Sequence, residues 1–352
     1  MGSGSESVTE GHRSRALVTG GAGFIGSHLC ERLLDDGWIV TAIDNLSTGR
    51  GRNIAALAEN ERFTFHQADI NRDPLPAERV DAIFHLACPA SPIAYSRLPI
   101  ETLEVSSVGT RRCLDLALGE EALFLLASTS EVYGNPEVHP QAETYPGNVD
   151  PVGPRSMYDE GKRFAEALAT WFGRVHDLDV RIVRIFNTYG PRLSLQDGRA
   201  VPSFIRQALL GEPVTVHGDG VQSRSFCYIS DLVEGLVRMS VVERGRINDL
   251  PVNLGNPVER SVLEIARTIV SLTDSASTIR HVERPRGDPD RRRPDITRAR
   301  ELLGWEPTVD LEQGLRMTIE WARSTIHDEP RQAPVERPSR SSRGDYGRGR
   351  SG

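Results

Sequence analysis

A glycine-rich segment near the amino terminus constrains the fold of this chain more than any other feature. The sequence Gly20-Gly-Ala-Gly23-Phe-Ile-Gly26 follows a short apolar run, Ala16–Thr19, and opens an amphipathic stretch, Phe24–Asp36. Glycine lets a backbone turn tightly and approach a pyrophosphate, while the amino-terminal end of the next helix offers N–H donors and a favourable dipole. The strand–turn–helix order around these glycines predicts a dinucleotide-binding βαβ unit.

Strand-like and helix-like segments alternate over the first 190 residues. The predicted strands are Ala16–Thr19, Trp38–Asp44, Phe63–Asp69, Ala82–Ala87, Leu123–Thr129 and Arg181–Asn187. The predicted helices between them are Phe24–Asp36, Ile100–Leu118 and Met157–His176. Strict alternation predicts the α/β class, with a doubly wound parallel sheet of the Rossmann type covered by helices on both faces.

The alternation ends after Asn187, where glycine and proline divide the chain into shorter pieces. Further predicted helices are Val201–Leu210, Ser230–Val242, Ser261–Leu272 and Leu311–Ser324. We therefore predict a flexible amino terminus at 1–14 and a dinucleotide-binding domain with the catalytic residues at 15–190. A smaller mixed substrate lobe follows at 191–328, with some chain returning to the sheet. A disordered tail, rich in Pro, Arg, Ser and Gly, is predicted at 329–352.

Composition excludes several classes of protein. The net charge of -7 over 352 residues argues against a general nucleic-acid binder. No apolar run reaches the roughly 18 residues that a membrane span requires. The four cysteines lack C-x-x-C spacing, which argues against a structural metal site and a disulfide framework. We therefore expect a protein of the cytoplasm with no metal, no membrane contact and no nucleic-acid partner.

Acidic residues follow two of the predicted strands and identify the dinucleotide. Asp44 ends the strand after the glycine motif, where a carboxylate accepts hydrogen bonds from ribose hydroxyls and repels a 2′-phosphate. This favours NAD over NADP, although Arg50 is close enough to weaken the preference. Asp69 ends the next strand, where it could meet the adenine edge. The predicted cofactor-binding residues are Gly20, Gly23, Phe24, Ile25, Gly26, Asp44, Asn45, Asp69, Ile70, Leu86, Tyr158, Lys162 and Thr188.

The pair Tyr158 and Lys162 is the leading candidate for catalysis. Spacing i, i+4 places both side chains on one face of a helix. Lys162 is the single lysine of the chain, whose 41 other basic residues are arginines. We expect its ammonium, together with the cationic nicotinamide ring, to lower the pKa of the phenol so that Tyr158 accepts a proton from a hydroxyl group. A surface helix pair is the alternative interpretation.

A third motif, Ser128-Thr-Ser-Glu131-Val-Tyr-Gly134, ends the fifth predicted strand. Parallel sheets place their ligand crevice at such carboxyl ends. Thr129 and Ser130 offer hydroxyl groups to a substrate and Glu131 offers a carboxylate, so these three residues complete the candidate catalytic set. An ordinary Ser/Thr turn is the alternative.

Together with Asn187-Thr-Tyr-Gly-Pro-Arg192, these motifs make the chain resemble the extended short-chain dehydrogenase/reductases that act on nucleotide sugars. The resemblance covers about Arg15 to His327. Within that group, the chain is similar to the UDP-glucuronate decarboxylases in four segments, which are His85–Pro92, Ser128–Glu131, Tyr158–Lys162 and Arg292–Ile296. The related dTDP-glucose 4,6-dehydratases usually have Asp-Glu in place of Ser130-Glu131. A 4-epimerase, a 4,6-dehydratase and a non-catalytic NAD-binding sensor remain the alternatives.

The resemblance implies NAD-dependent decarboxylation of UDP-glucuronate to UDP-xylose through a 4-keto intermediate, with no net redox change. It implies that Thr129 and Tyr158 hold the C4 oxygen, that Glu131 lies near C5, and that Arg292 pairs with the substrate carboxylate. Arg286, Arg291 and Arg293 are competing candidates for that last role. A homodimer formed through the helix of Tyr158 and Lys162 is also implied.

The resemblance also implies a set of residues for the nucleotide half of the substrate. The predicted substrate-binding residues are Asn187, Arg199, Val201, Phe204, Gln222, Arg224 and Arg292. Phe204 offers an apolar face to uracil and Arg224 can neutralise a phosphate. Ser106 and His217 depart from the family pattern, which usually has asparagine and an aromatic residue there. His85 lies on a predicted buried strand and is expected to be structural.

Overall fold

A seven-stranded parallel sheet forms the centre of the computed structural model, which describes residues 13–76, 78–247, 250–284 and 288–328. The strands of this sheet are β1 (Arg15–Thr19), β2 (Ile39–Asp44), β3 (Phe63–Gln67), β4 (Ala82–His85), β5 (Leu123–Thr129), β6 (Val180–Ile185) and β11 (Val252–Leu254). Their spatial order is β11-β6-β5-β4-β1-β2-β3. The order reverses between β1 and β4, so ligands are expected beside the carboxyl ends of these strands. The predicted fold class is confirmed.

Ten α-helices occur in the described residues. They are α1 (Phe24–Asp35), α2 (Pro92–Arg97), α3 (Pro99–Glu104), α4 (Thr110–Gly119), α5 (Ser156–His176), α6 (Ala200–Leu209), α7 (Ile229–Val241), α8 (Val262–Leu272), α9 (Thr297–Leu303) and α10 (Leu311–Thr325). Helices α1 and α7 pack together on one face of the sheet, and α4 and α5 on the other. Burial on both faces explains the continuous apolar runs of the strands.

The sheet side chains alternate between these two cores. Val18 packs in the core with Leu29 of α1, whereas its neighbour Leu17 packs in the core with Leu114 of α4. Burying apolar surface contributes about 25 cal/mol per Å², so residues on both faces hold the layers together. The loops at the strand ends therefore extend from a rigid support.

The remaining strands form three small sheets near the carboxyl edge of the main sheet. They are β7 (Thr188–Tyr189) with β10 (Cys227–Tyr228), β8 (Val214–His217) with β13 (Ile279–Val282), and β9 (Ser223–Ser225) between β12 (Glu259–Ser261) and β14 (Arg291–Arg292). The chain after residue 190 does not form one separate unit, because α7 covers the main sheet and β11 pairs with β6 as its edge strand.

Two predicted elements differ in detail from the structure. The single helix expected at 100–118 is divided by a π-helical turn at Val105–Gly109, where Thr110 Oγ1 donates to the Val105 carbonyl. Helix α2 was not among the predicted helices; Ser91 Oγ caps it by accepting from Ala94 N, and Pro92 occupies its first turn. The predictions for 1–12 and 329–352 fall outside the described residues.

Candidate active site

The glycine motif forms the turn between β1 and α1. Gly20 has a φ of +71°, and a Cβ there would lie 2.9 Å from the Ala87 backbone nitrogen. A Cβ on Gly26 would lie 2.2 Å from the Gly20 carbonyl oxygen, so a larger residue would disrupt the turn. Helix α1 begins at Phe24, after Gly23. The turn thus leaves space at a helix amino terminus whose first N–H groups have no partner within the helix, which is the arrangement that binds pyrophosphate.

The carboxylate of Asp44 lies at the end of β2, against the glycine turn. Its Oδ2 accepts from Ala22 N at 3.1 Å and its Oδ1 accepts from Leu46 N at 2.8 Å. Burial raises the pKa of Asp44, and these two hydrogen bonds oppose the change. The backbone fixes this carboxylate at the mouth of the cofactor site. Arg50 donates from Nη2 to Ser194 Oγ at 2.6 Å and so connects this region to the substrate lobe.

Tyr158 and Lys162 lie on one buried face of α5, next to the end of β5. Lys162 Nζ donates to the Ala127 carbonyl at 2.8 Å. The phenol of Tyr158 forms a hydrogen bond with Thr129, and its ring stacks on Tyr95 with centroids 5.3 Å apart. The structure therefore brings three of the five predicted catalytic residues together at one strand end.

The chain's own groups raise the pKa of Tyr158, whereas we expected Lys162 to lower it. Burial raises the pKa of this phenol, and Cys88 acts in the same direction. The hydrogen bond with Thr129 lowers the pKa but does not offset burial. The ammonium of Lys162 is directed to a backbone carbonyl, so it does not stabilise the phenolate enough to overcome desolvation.

Glu131 occupies the centre of an ion-pair cluster. It lies in the short helical turn Ser130–Tyr133 after β5 and receives Arg292 from β14. Arg292 donates Nη1 to Oε1 at 2.5 Å and Nη2 to Oε2 at 2.8 Å, while Arg155 places its Nη2 2.5 Å from Oε2. We call Glu131, Arg155 and Arg292 the arginine–glutamate cluster.

The cluster sets the charge state of Glu131 and influences that of the nearby Asp159. Burial alone would raise the pKa of Glu131, but the charges of Arg292 and Arg155 outweigh burial and lower the pKa to about 2. Asp159 lies close by, and burial together with the charge of Glu131 raises its pKa to about 7. Glu131 is therefore an ionised carboxylate at neutral pH and has no proton to donate.

The predicted nucleotide-binding residues lie on the other side of the cleft. Asn187 Oδ1 and Gln222 Oε1 are buried acceptors that have no hydrogen-bond partner in the described part of the chain. Val201 and Phe204 are buried on α6. Arg224 donates Nη2 to Asp288 Oδ1 at 2.6 Å, and Arg199 pairs with Asp197. Burial lowers the pKa of Arg224, and Asp288 opposes this change.

One cleft of about 630 Å³ is lined by all the predicted cofactor, catalytic and substrate residues. It runs from the glycine turn past Tyr158 to Phe204 and Arg224. The wall also contains polar residues that were not predicted from the sequence, among them Tyr95, Arg155 and Asp288. Arg155 could have been found, since it lies about one helical turn before Tyr158. No group of metal-ligating side chains is present among residues 13–76, 78–247, 250–284 and 288–328.

The donor set of the cleft fits NAD. A Cβ would fill the cradle at Gly20 or Gly26, the helix amino terminus suits a pyrophosphate, and Asp44 suits a ribose diol. The carboxylate of Asp44 is also unfavourable for the additional phosphate of NADP. His85 has a structural role, since its ring nitrogens contact Thr19 and Thr110, and burial lowers its pKa to about 3.

Comparison with known proteins agrees with this site. The family model described as GDP-mannose 4,6 dehydratase matches residues 17–318. UDP-glucuronic acid decarboxylase 1 of Xenopus tropicalis is 48% identical over 331 residues, which cover 94% of this chain and 77% of that protein. UDP-glucuronic acid decarboxylase 2 of Arabidopsis thaliana is 50% identical over 312 residues, covering 89% and 69%.

A solved structure extends the comparison to the fold. UDP-glucuronic acid 4-epimerase from Bacillus cereus, in complex with UDP-glucuronic acid and NAD, superposes with a TM-score of 0.79 at 29% identity, covering 88% of this chain and 99% of that one. Fold and cleft together define a Rossmann-type short-chain dehydrogenase/reductase of the kind that acts on nucleotide sugars. The chain belongs to the GDP-mannose 4,6 dehydratase family, within the group of relatives named UDP-glucuronic acid decarboxylase. The predicted family is confirmed.

Proposed function

We propose that this protein is an NAD-dependent enzyme that decarboxylates UDP-glucuronate to UDP-xylose. The observation that carries the proposal is the position of the Tyr158–Thr129 pair beside the arginine–glutamate cluster in one cleft. The Tyr158–Thr129 pair suits a sugar hydroxyl group, and the arginines of the cluster suit a carboxylate. The names of the relatives at 48% and 50% identity support this assignment.

The chemistry of the substrate explains why oxidation, decarboxylation and reduction can all occur in one cleft. A ketone at C4 makes the C5 carboxylate that of a β-keto acid, which loses carbon dioxide because the remaining electrons form an enolate. NAD bound at the glycine turn would supply a reversible hydride acceptor and a positive charge beside the phenol. With uptake of one proton at C5 of the enolate, the overall reaction is redox-neutral. The residues that would hold it are Gly20, Gly23, Gly26, Asp44 and Lys162.

Side chains of the protein transfer the proton of the C4 hydroxyl and stabilise the charges in the cleft. When the positive charge of bound NAD opposes the effect of burial on the pKa of Tyr158, the phenolate can accept the proton of the C4 hydroxyl. Once protonated, Tyr158 hydrogen-bonds the enolate oxygen, and Thr129 orients that same oxygen. Lys162 anchors α5 to the end of β5 through Ala127 and contributes positive charge. Glu131 remains ionised and pairs with Arg292 at the wall of the cleft.

The ionised state of Glu131 argues against a 4,6-dehydratase. In that alternative Glu131 would act as an acid, and an acid must carry a proton at neutral pH. Two arginines lower the pKa of Glu131 to about 2, against the effect of burial, so the carboxylate is deprotonated. A 4-epimerase remains the competing function, because the Bacillus cereus relative is one and was solved with UDP-glucuronic acid.

Incubation with NAD and UDP-glucuronate, followed by mass spectrometry, tests the proposal. We expect UDP-xylose and carbon dioxide in equal amounts with no net NADH. An isomer that retains the carboxylate would identify an epimerase instead. Turnover of UDP-glucose in place of UDP-glucuronate would identify a dehydratase or an epimerase of neutral sugars.

We also propose a homodimer formed through α3 and α5. These helices pack together and expose large apolar side chains, which are Ile100, Leu103, Phe164, Trp171 and Val175. Trp171 is 62% exposed, and a cluster of this kind is typical of a buried interface. Trp171→Glu should shift the protein to a monomer in sedimentation analysis, whereas Val241→Glu, at an equally exposed position on α7, should not.

We propose that the enzyme is cytoplasmic. All four cysteines lie in the described residues and are free thiols, as expected in a reducing compartment. In the part of the chain that the structure describes, no helix has both the length and the apolar character for crossing a bilayer.

A further inference from the structure

Arg155 is a charged residue of the cleft that the proposed reaction does not yet use. It directly precedes α5, about one helical turn before Tyr158, and lines the cleft. Its side chain is about one-fifth exposed, while that of Arg292 is almost fully buried. Arg155 is therefore the more accessible of the two arginines that contact Glu131.

The two arginines use Glu131 in different ways. Arg292 donates both terminal nitrogens to the two carboxylate oxygens, so the fork that would otherwise bind a substrate carboxylate is already engaged. Arg155 contacts one oxygen, Oε2, in an ion pair. The buried Nε of each arginine has no hydrogen-bond partner among the described residues, so the two differ in their terminal nitrogens. Arg292 commits both of these nitrogens to Glu131, whereas the ion pair of Arg155 with Glu131 is made through Nη2.

The balance of charge around Glu131 also leaves room for an anion. Two guanidinium groups face one ionised carboxylate, while the nearby Arg224 is paired with Asp288 and Arg199 with Asp197. Asp159, the other carboxyl group at this end, has its pKa raised to about 7 by burial and by Glu131, so it contributes only part of a charge at neutral pH. A buried or half-buried excess of positive charge is costly unless an anion offsets it.

We propose that Arg155 binds the carboxylate of the nucleotide-linked uronic acid and determines the preference for an acidic over a neutral sugar. In this arrangement Glu131 and Arg292 form the fixed part of the cluster, and Arg155 forms the part that receives the substrate. Arg292 is then a positioning residue, which holds Glu131 and lies behind the binding surface. The proposal rests on the proposed function, because it presumes a carboxylated sugar with C4 beside Tyr158.

Binding measurements in a background without turnover test the role of Arg155. The Tyr158→Phe protein, loaded with NAD, is titrated calorimetrically with UDP-glucuronate and with UDP-xylose, which lacks the carboxylate. Adding Arg155→Met should raise the Kd for UDP-glucuronate about tenfold or more, because charge-assisted hydrogen bonds are lost. The Kd for UDP-xylose should change by less than about threefold, since that ligand has no carboxylate to lose.

Two further variants make the result specific. Arg155→Lys keeps the charge but not the planar fork, so its Kd for UDP-glucuronate should lie between those of the other two proteins. Arg316→Met removes an exposed arginine paired with Glu312 on α10 and should leave both Kd values unchanged. Decarboxylation by the wild-type protein is scored separately, so the proposed function can stand when this proposal fails.

Three outcomes would overturn the proposal. An unchanged Kd for UDP-glucuronate in Arg155→Met would show that the residue does not bind the carboxylate. Equal weakening of both ligands in Arg155→Met and Arg155→Lys would show a general structural role. In otherwise active protein, an Arg155→Met variant with an unchanged KM for UDP-glucuronate and a lower kcat would show that Arg155 acts only through Glu131.

Discussion

The two sides of the cleft are built from different kinds of contact. On the cofactor side, backbone groups provide most of the shape and contacts, as in the glycine turn and the N–H groups that hold Asp44. On the substrate side, charged side chains from distant segments meet, and Glu131 and Arg292 lie 161 residues apart. The first side depends on the shape of the main chain, whereas the second depends on paired charges.

This difference predicts which substitutions each side of the cleft does not tolerate. A site made from backbone tolerates changes of pH but not an added Cβ. A site made from buried ion pairs tolerates changes of size at its edge but not the loss of one charge, because the partner is then left unpaired. Tyr158 lies between the two sides, so it should depend on both.

The largest expected effect separates chemistry from binding at Tyr158. Tyr158→Phe removes the hydroxyl that accepts and donates the proton, so kcat should fall by about 10²- to 10⁴-fold. The ring still stacks on Tyr95, so NAD binding measured by fluorescence should change little. Near-normal turnover in this variant would exclude Tyr158 as the proton acceptor.

The next effect concerns the charged side of the cleft. Glu131→Gln leaves Arg155 and Arg292 without their counter-ion and should lower the free energy of unfolding at pH 7 by about 3 kcal/mol in chemical denaturation. Glu312→Gln, which removes the exposed partner of Arg316, should cost at most about 1 kcal/mol. Equal effects of the two substitutions would contradict a cluster stabilised by buried charge.

The pH dependence of stability gives a second test of the charge on Glu131. The pKa of Glu131 in the folded protein is lowered to about 2, against an ordinary value of 4.5, so its stabilising contribution is complete above about pH 4.5. That contribution is lost as the pH falls from about 4.5 toward 2. The difference in stability between wild type and Glu131→Gln should therefore shrink across this window, and a constant difference would mean that Glu131 is not held ionised.

A smaller effect is expected on the backbone side. Gly26→Ala places a Cβ against the Gly20 carbonyl and should destabilise the protein by about 1–3 kcal/mol while weakening NAD binding. Gly119→Ala, at the end of α4, has open space around its Cβ and should be neutral or slightly stabilising. Thermal unfolding with and without NAD compares the two variants, and retention of NAD affinity in Gly26→Ala would contradict the close approach.

The smallest expected effect is on the choice of dinucleotide. Asp44→Asn keeps an acceptor at this position but removes the negative charge that opposes a 2′-phosphate. The preference for NAD over NADP, measured as a ratio of Kd values, should fall by about tenfold, the equivalent of one hydrogen bond. Asp115→Asn, on the exposed face of α4, should leave the ratio unchanged.

The same contrast explains what could be predicted from the sequence. The cofactor side was accessible because its determinants are local, with Gly20–Gly26 and Asp44 each adjacent to a strand that periodicity identifies. The seven-stranded sheet followed from the alternation of segments, except that the pairing of Val252–Leu254 with β6 joins remote parts of the chain. Its three residues carry too short a pattern to be assigned to a sheet.

The substrate side was less accessible for the corresponding physical reason. Sequence reasoning named Glu131 and Arg292 but not their bidentate contact, because nothing local links positions so far apart. It also expected Lys162 to lower the pKa of Tyr158, whereas Lys162 donates to Ala127 and burial raises that pKa. Desolvation depends on packing in three dimensions, which spacing along a helix does not reveal.

The most direct test follows the hydrogens of the sugar. UDP-glucuronate carrying deuterium at C4 is incubated with the enzyme and NAD in ordinary water, and then unlabelled substrate is incubated in deuterium oxide. The account predicts UDP-xylose that retains the C4 label in the first experiment and gains one deuterium at C5 in the second, as read by NMR. Loss of the C4 label to water, or a product that still carries its carboxylate, would contradict redox-neutral decarboxylation in this cleft.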